Sequence, residues 1–198
     1  MDFFLYAIEK ILISTAGALH RLRILLRAQK KIAEKSLKLD LGSGGTKKKG
    51  FIGIDAILGP GVDIEHNLED GIPFADNSVS EIYSSHFLEH IPHRNVKFVL
   101  QECSRVLLPG GNITIEVPNL KESLQKFLKM DERTRWENGW EQIFGNQKRQ
   151  FEYHKTGFTK GRLKELLAKT GFERITLSLS KHGPVSSLRA KAQKINEV

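Results

Sequence analysis

The stretch that decides the fold of this chain is residues 37–45, which read Leu-Lys-Leu-Asp-Leu-Gly-Ser-Gly-Gly. The leucines alternate with Lys38 and Asp40, a pattern that predicts a short strand. The glycines that follow let the backbone turn sharply and place no Cβ between the chain and a ligand. Residues 37–45 therefore predict a strand that ends in a turn against which a ligand can lie.

A second acidic residue ends the next apolar run. Residues 53–55 read Gly-Ile-Asp, and Gly53 comes eight residues after Gly45. An acid at the end of the second strand can accept hydrogen bonds from ribose hydroxyls, so strand, glycine turn and acid together favour a nucleoside-containing cofactor. Glycine turns after strands are common, and this pattern alone leaves other ligands open.

The composition indicates one globular domain with appendages. The chain has 198 residues, enough for a substantial core. Its single cysteine, Cys103, excludes an intramolecular disulfide and a cysteine-rich metal site, which fits a reducing compartment and predicts a cytoplasmic protein. The net charge of +8 permits an anionic partner such as nucleic acid, acidic lipid or a phosphorylated substrate, but requires none.

Residues 1–35 are predicted to form an amphipathic, basic helical extension. They hold seven basic and three acidic residues, with apolar side chains at helical spacing. Charged residues interrupt the apolar run, which excludes a membrane span, and the basic residues follow it, unlike in a signal peptide. Two interpretations stay open: a helix packed across the sheet edge, or a helix that contacts a membrane surface or partner through residues 3–31 and makes the protein peripheral to the inner face of the membrane.

The spacing of the strands predicts missing helices in the first half of the domain. Strands are predicted at 36–41 and 51–55, and the nine residues 42–50 between them are too few for a helical crossover. The gap after Asp55 is also short. We therefore expect loops after strands 1 and 2, where an α/β protein normally has helices.

The second half alternates helices and strands more regularly. Helices are predicted at 94–107, ended by Pro109-Gly110-Gly111, at 120–145, and from an N-cap at Thr159, with a loop over 147–157. Cys103 falls on the apolar stripe of the first helix and is expected to fill the core. Further strands are predicted at 79–84, 112–117, 174–180 and 187–194, the last antiparallel to its predecessor. The fold class is thus α/β.

Several blocks recur in a recognisable order. They are residues 39–45; 53–55; 72–79, Ile-Pro-Phe-Ala-Asp-Asn-Ser-Val; 85–90, Ser-His-Phe-Leu-Glu-His; 105–111, Arg-Val-Leu-Leu-Pro-Gly-Gly; 153–159, Tyr-His-Lys-Thr-Gly-Phe-Thr; and 171–172, Gly-Phe. This set resembles the class I S-adenosylmethionine-dependent methyltransferases, in particular small bacterial and archaeal members of the "methyltransferase 11" type, many of which occur with glycan and cell-surface biosynthesis. The resemblance covers about 37–194.

The resemblance implies a Rossmann-like methyltransferase domain over 36–198, with an acceptor-binding insertion at about 120–158. It also implies S-adenosylmethionine as cofactor and S-adenosylhomocysteine as product. The residues that match the family's cofactor site are Asp40, Gly42, Ser43, Gly44, Asp55, Ala56, Asn67, Leu68, Ser85 and His86. The family's first helix has no room here, so the partner of the cofactor carboxylate stays open. The lysines at 47–49 either supply that charge or form a solvated loop.

Two histidines are predicted to take part in catalysis. His86 follows the predicted strand 79–84 at the edge where open α/β sheets bind ligands, and His154 lies in the insertion. An imidazole suits the removal of a proton near neutral pH. No metal site is predicted, because Glu89, His90 and His93 read as the start of a helix that no second cluster completes.

The preferred function is O-methylation of a small molecule or glycan precursor. The alternatives are an RNA methyltransferase, suggested by the pI of 9.6, and a catalytically silent cofactor-binding or scaffold protein, suggested by the missing helix. Half of the charge excess lies in residues 1–35 and no appended nucleic-acid module is visible, so nucleic acid is not the expected partner. A nicotinamide dehydrogenase is disfavoured by the blocks after Asp55.

Overall fold

The computed structural model describes residues 37–149, 151–182 and 185–196. The predicted N-terminal extension lies outside these residues. Both interpretations of that extension therefore remain predictions. Within the described ranges, no helix is long and apolar enough to cross a membrane.

The described residues contain one β-sheet, and the α-helices come after its fourth strand along the chain. The strands are β1 Leu37–Leu41, β2 Ile52–Asp55, β3 Ile64–Glu65, β4 Val79–Ser85, β5 Leu107–Pro118, β6 Phe172–His182 and β7 Val185–Lys194. Their order across the sheet is β3-β2-β1-β4-β5-β7-β6. Neighbours from β3 to β5 are parallel, whereas β7 runs antiparallel to both β5 and β6. The mostly parallel sheet with an antiparallel last strand is confirmed.

The helices are short and concentrated after β4. They are α1 Val96–Val106, α2 Leu120–Lys129, α3 Glu132–Thr134, α4 Glu141–Phe144 and α5 Lys160–Lys169, with a π-helical segment at Arg135–Gly139 and 3-10 turns at Leu68–Asp70 and Leu88–His90. The apolar stripe of α1 is buried, and Cys103 lies in it as predicted. Burial raises the pKa of the Cys103 thiol to about 12, so this thiol is not a nucleophile at neutral pH.

The shortened crossovers are also confirmed. Between β1 and β2 the chain makes only turns, in which the Thr46 N–H donates to the Ser43 carbonyl at 3.2 Å and the Phe51 N–H donates to the Lys48 carbonyl at 3.1 Å. The connection from β2 to β3 is likewise a loop. The parallel pairing of β1 with β2 therefore forms without a crossover helix.

Two predicted boundaries were wrong. Pro109-Gly110-Gly111 does not end α1, because the helix stops at Val106 and β5 starts at Leu107. The register with β4 shifts between Val79 and Glu81, and this irregularity takes up the proline and glycines. Strand β6 similarly starts at Phe172, before a register shift near Arg174, whose φ is 51°.

A cluster of charged side chains attaches the segment that precedes β4 to helix α1. Arg105 donates to the carbonyls of Ile72 and Phe74, each at 2.9 Å, and to both carboxylate oxygens of Glu102 at 2.7 Å. Glu102 in turn accepts the Ile72 N–H at 2.9 Å. The block at 72–79 that the sequence singled out is thus held by its backbone to the helix that follows β4.

Candidate active site

The turn after β1 is shaped by a close approach of two segments. Gly42 has a φ of 71°, and its N–H donates to the Ile54 carbonyl at 2.8 Å. A Cβ at Gly42 would lie 2.5 Å from the Cβ of Phe87. Only glycine satisfies both the backbone angle and the contact. The turn is therefore packed directly against the loop that follows β4.

The carboxylate of Asp55 is oriented by backbone amides. One oxygen accepts the Gly44 N–H at 3.0 Å, and the other accepts the Ile57 N–H at 3.1 Å. A carboxylate has about four acceptor positions, so Asp55 keeps capacity for further donors. It is thus positioned to accept hydrogen bonds from ligand hydroxyls, the role that the resemblance implies for it.

A cavity of about 350 Å³ opens at the carboxyl ends of β1, β2 and β4. Seven of the predicted cofactor residues line it: Gly42, Gly44, Asp55, Ala56, Asn67, Leu68 and His86. Leu68 is a buried residue of its lining, and the Asn67 side-chain oxygen accepts the Glu69 N–H at 3.1 Å. With that oxygen engaged, the amide NH₂ of Asn67 is the group left for a ligand.

Three predicted cofactor residues do not line this cavity. Asp40, Ser43 and Ser85 line a neighbouring open depression instead. The Asp40 carboxylate accepts the Lys48 N–H at 2.6 Å, which ties the turn back to β1. Burial is the largest influence on Asp40 and raises its pKa. The Asp40 carboxylate therefore contacts the turn and does not line the cavity.

The lysines of the turn have partners outside the cavity. Lys47 pairs with Asp63. The Lys48 ammonium lies 4.5 Å from the Phe51 ring centroid and 4.7 Å from that of Tyr83. Neither lysine lines the cavity, so the predicted role of 47–49 as a source of positive charge there gains no support from their contacts.

His86 stands on the wall of the cavity in an unusual backbone conformation. Its φ is 53°, in a region that residues other than glycine rarely adopt. Its Nδ1 lies 3.2 Å from a carboxylate oxygen of buried Glu89, and its Nε2 lies 3.1 Å from the hydroxyl of Ser187 on β7. The hydrogen bond with Glu89 raises the pKa of His86, and burial opposes it. His86 is thus fixed at both ring nitrogens.

His154 does not line this cavity. Its ring centroid is 5.2 Å from that of His90, and it shares a small cavity with Glu89. Burial lowers the pKa of His154. The structure therefore brings His154 close to Glu89, and its predicted catalytic role remains a prediction.

Several cavity residues were not predicted from the sequence. They are Ile57, Leu58, Gly59, Pro60, Glu69, Phe87, His90, Ile91, Arg149, Phe151 and Glu152, together with Gly45. Ile57 and Leu58 carried a signal in the sequence, since these two large apolar side chains come two and three residues after Asp55. In the structure they are 40% and 67% exposed. Arg149, Phe151 and Glu152 carried none, because a loop distant in sequence brings them there.

Residues 39–115 match the family model described as a methyltransferase domain. This match and the shared fold support the class I S-adenosylmethionine-dependent methyltransferase domain that the sequence predicts. They also support S-adenosylmethionine as the cofactor. No curated protein matches the sequence.

Solved structures share the fold of this methyltransferase domain. A methyltransferase of Methanosarcina mazei is 19% identical, with a TM-score of 0.57 over 83% of this chain and 94% of that one. The Burkholderia thailandensis 1,6-didemethyltoxoflavin-N1-methyltransferase, with 1,6-didemethyltoxoflavin and S-adenosylhomocysteine bound, is 15% identical, with a TM-score of 0.58 over 89% and 77%. A chain in the complex of the Haloferax volcanii Trm112 activator with a putative methyltransferase is 14% identical, with a TM-score of 0.56 over 85% and 89%.

The residues of the cavity fit this cofactor. Asp55 offers the acceptor that a ribose diol requires, and Leu68 with Ile57 and Leu58 offers apolar surface for a base. Gly42 lines the cavity, and a side chain there would strike Phe87. The donor set and the volume of about 350 Å³ therefore suit a nucleoside-containing ligand.

Proposed function

We propose that the chain methylates a hydroxyl group of a small molecule or glycan precursor. The observation that carries this proposal is the position of His86, which lines the cofactor cavity and is fixed at both ring nitrogens. When bound, S-adenosylmethionine supplies an electrophilic methyl group on a sulfonium. The protein then supplies alignment, which can be worth about 7–11 kcal/mol, and a place for the proton of the acceptor hydroxyl.

The contacts of His86 select the atom that would take this proton. A carboxylate accepts hydrogen bonds, so Nδ1 donates to Glu89 and Nε2 keeps its lone pair. That lone pair faces the Ser187 hydroxyl at 3.1 Å. Nε2 is thus the proposed proton acceptor, directly or through Ser187, while Glu89 holds the ring in one tautomer.

The acceptor is proposed to enter beside the segment that precedes α5. Arg149, Phe151 and Glu152 reach the cavity from this segment and give it one aromatic and two charged side chains. Backbone hydrogen bonds from Lys155 and Thr156 to the Glu89 carbonyl, at 2.8 and 3.2 Å, hold the same segment to the loop after β4. This arrangement supports the predicted acceptor role of the insertion at about 120–158.

The test combines an acceptor screen with a His86 variant. The full chain is incubated with S-adenosylmethionine labelled in its methyl group and with separate pools of hydroxylated saccharides, amines and RNA. Transfer to a saccharide hydroxyl, located by mass spectrometry of the product, supports the proposal. Transfer confined to amines or RNA, or cofactor binding without transfer to any pool, overturns it.

His86→Asn then tests the proposed base. The variant is expected to lower the turnover rate by about 10²–10⁴-fold while the dissociation constant of S-adenosylhomocysteine changes little. The matched control is His93→Asn, because the His93 ring contacts Thr156 and does not line the cavity. An unchanged turnover rate in His86→Asn would remove His86 from the chemistry.

A further inference from the structure

A carboxylate and two imidazoles converge where the loop after β4 meets the segment before α5. One potential ligand atom from each of Glu89, His90 and His154 lies within 4.8 Å of the others. The sequence placed Glu89 and His90 together with His93, whereas the structure replaces His93 with His154. The combination of two histidines and one glutamate is a donor set that Zn²⁺ uses with three protein ligands and an open position.

Glu89 has an oxygen with no visible protein partner. The residue is 1% exposed, and its Oε1 takes the hydrogen bond of His86. Its Oε2 is buried without a hydrogen-bond partner among the described residues. Because leaving a buried carboxylate oxygen unpaired is costly, this atom points to a missing positive group.

Both imidazoles have backbone groups that orient them as ligands. His90 Nδ1 lies 3.1 Å from the Tyr153 carbonyl, which can only accept, so Nδ1 carries the proton and Nε2 keeps a lone pair. Burial lowers the pKa of His154 and favours its neutral form, while a backbone hydrogen bond to Ile143 acts on the ring and opposes this shift. Metal-binding histidines commonly donate their second ring N–H to a backbone carbonyl in this way.

A small void adjoins the same group. It has a volume of about 10 Å³ and is lined by Glu89 and His154, with apolar walls from residues such as Leu120 and Phe158. A space of this size holds about one water molecule or a single ion, and not an organic ligand. The void, the unpaired oxygen and the oriented rings are independent observations.

From these observations we propose that Glu89, His90 and His154 bind one divalent transition-metal ion of the Zn²⁺ type. Ligands at about 2.0–2.2 Å from Zn²⁺ lie about 3.3–3.6 Å from one another. A pair of donors at the 4.8 Å limit would therefore move together by about 1.2–1.5 Å on binding. The ion would join the loop that carries His86 to the segment that carries Phe151. The proposal is independent of the acceptor class and departs from the sequence prediction of no metal site.

The test measures binding of Zn²⁺ to the full, untagged chain after removal of metal by a chelator. Calorimetric titration is expected to give one Zn²⁺ per chain, and Zn²⁺ is expected to raise the melting temperature. Mg²⁺ and Ca²⁺, which prefer oxygen ligands, are expected not to compete at millimolar concentration. The absence of a stoichiometric site would overturn the proposal.

Ligand variants separate this site from adventitious binding. Glu89→Gln and His154→Ala are each expected to weaken Zn²⁺ binding at least about tenfold and to abolish the thermal shift, whereas His93→Ala keeps both. Circular dichroism without metal checks that each variant folds, and if one does not, the other decides the matter. Equal Zn²⁺ affinity in folded Glu89→Gln or His154→Ala and the parent would contradict the site.

Discussion

At the scale of single residues, the open question is what meets the cofactor carboxylate in the absence of the usual first helix. Arg149 brings a guanidinium to the cavity wall, where its side chain is 73% exposed and lies 3.8 Å from the Glu152 carboxylate. Lys47 and Lys48 are engaged elsewhere. We infer that Arg149 is the counter-charge of the carboxylate.

Arg149→Gln is therefore expected to weaken S-adenosylhomocysteine binding about two- to fivefold, the range of an exposed ion pair. Methylthioadenosine lacks the amino-acid part of the cofactor, so its affinity should not change in this variant. Calorimetric titration of both ligands measures the difference, with Lys47→Gln as a control. Equal weakening of both ligands would show a general disturbance of the cavity and contradict the assigned role.

The sequence predicted the cavity residues unevenly, for physical reasons. The positions of Gly42 and Asp55 could be predicted from the sequence, because a strand, a turn and a second strand fix them locally. Asp40, Ser43 and Ser85 line the neighbouring depression instead, and their predicted cofactor role remains a prediction. Successive side chains of a strand point to opposite faces of the sheet. Because no helix follows β1, the path of the turn at 42–50 decides which of these side chains lie next to a ligand.

At the scale of the elements, the start of α5 rests on one side chain. The Thr159 hydroxyl accepts the Arg162 N–H at 3.3 Å, as the sequence predicted, and α5 buries Leu163 and Leu167 against the domain. Thr159→Ala is expected to lower the free energy of unfolding by about 0.5–2 kcal/mol, and Thr159→Ser to restore most of it. Urea denaturation checks both, and equal stabilities of Thr159→Ala and the parent would contradict the cap.

The cluster between α1 and the connection before β4 predicts a pH dependence. Hydrogen bonds from Arg105 hold the pKa of Glu102 below its ordinary value. Since the folded pKa is depressed, this contribution to stability is present above the unfolded pKa of about 4.3 and is lost as the pH falls through the folded pKa. Acid should therefore weaken the attachment of the 72–79 block.

Glu102→Gln is expected to cost about 1–3 kcal/mol of unfolding free energy at pH 7, and its stability should fall less between about pH 5 and pH 3 than that of the parent. Urea denaturation across this range measures the difference. Glu141→Gln, which alters an exposed glutamate at the start of α4, is the matched control. A parallel decline of the variant and the parent would exclude Glu102 as the titrating group.

The boundaries of helices and strands could be predicted where the apolar periodicity of the sequence was strong. The predictions failed where pairing between strands decides the boundary. The stripe of α1 from Val96 to Val106 is visible in the sequence, and so is the antiparallel pairing of β7. Pro109-Gly110-Gly111 looked like a helix stop because these residues usually end elements. Pairing with β4 on either side carries the strand through them, and only the assembled sheet supplies that pairing.

At the scale of the whole molecule, the sheet keeps its order although two crossovers are loops. β1 lies between β2 and β4, so its carboxyl end is the point where the chain leaves in opposite directions across the sheet. The cavity lies at this switch point. The fold could be predicted because ordered motifs identify it, whereas the meeting of Glu89 with His154 depends on a loop that no local pattern places.

Calorimetric titration with S-adenosylmethionine and S-adenosylhomocysteine tests the cofactor site at the carboxyl ends of β1, β2 and β4. The parent chain is expected to bind both, and Asp55→Ala to bind them about 10- to 100-fold more weakly, because about 1.5–3 kcal/mol of charge-assisted hydrogen bonding is lost. Glu65→Gln, on the neighbouring strand and outside the cavity, should bind as the parent does. Failure of the parent to bind either ligand, or equal binding by Asp55→Ala, would contradict the cofactor site.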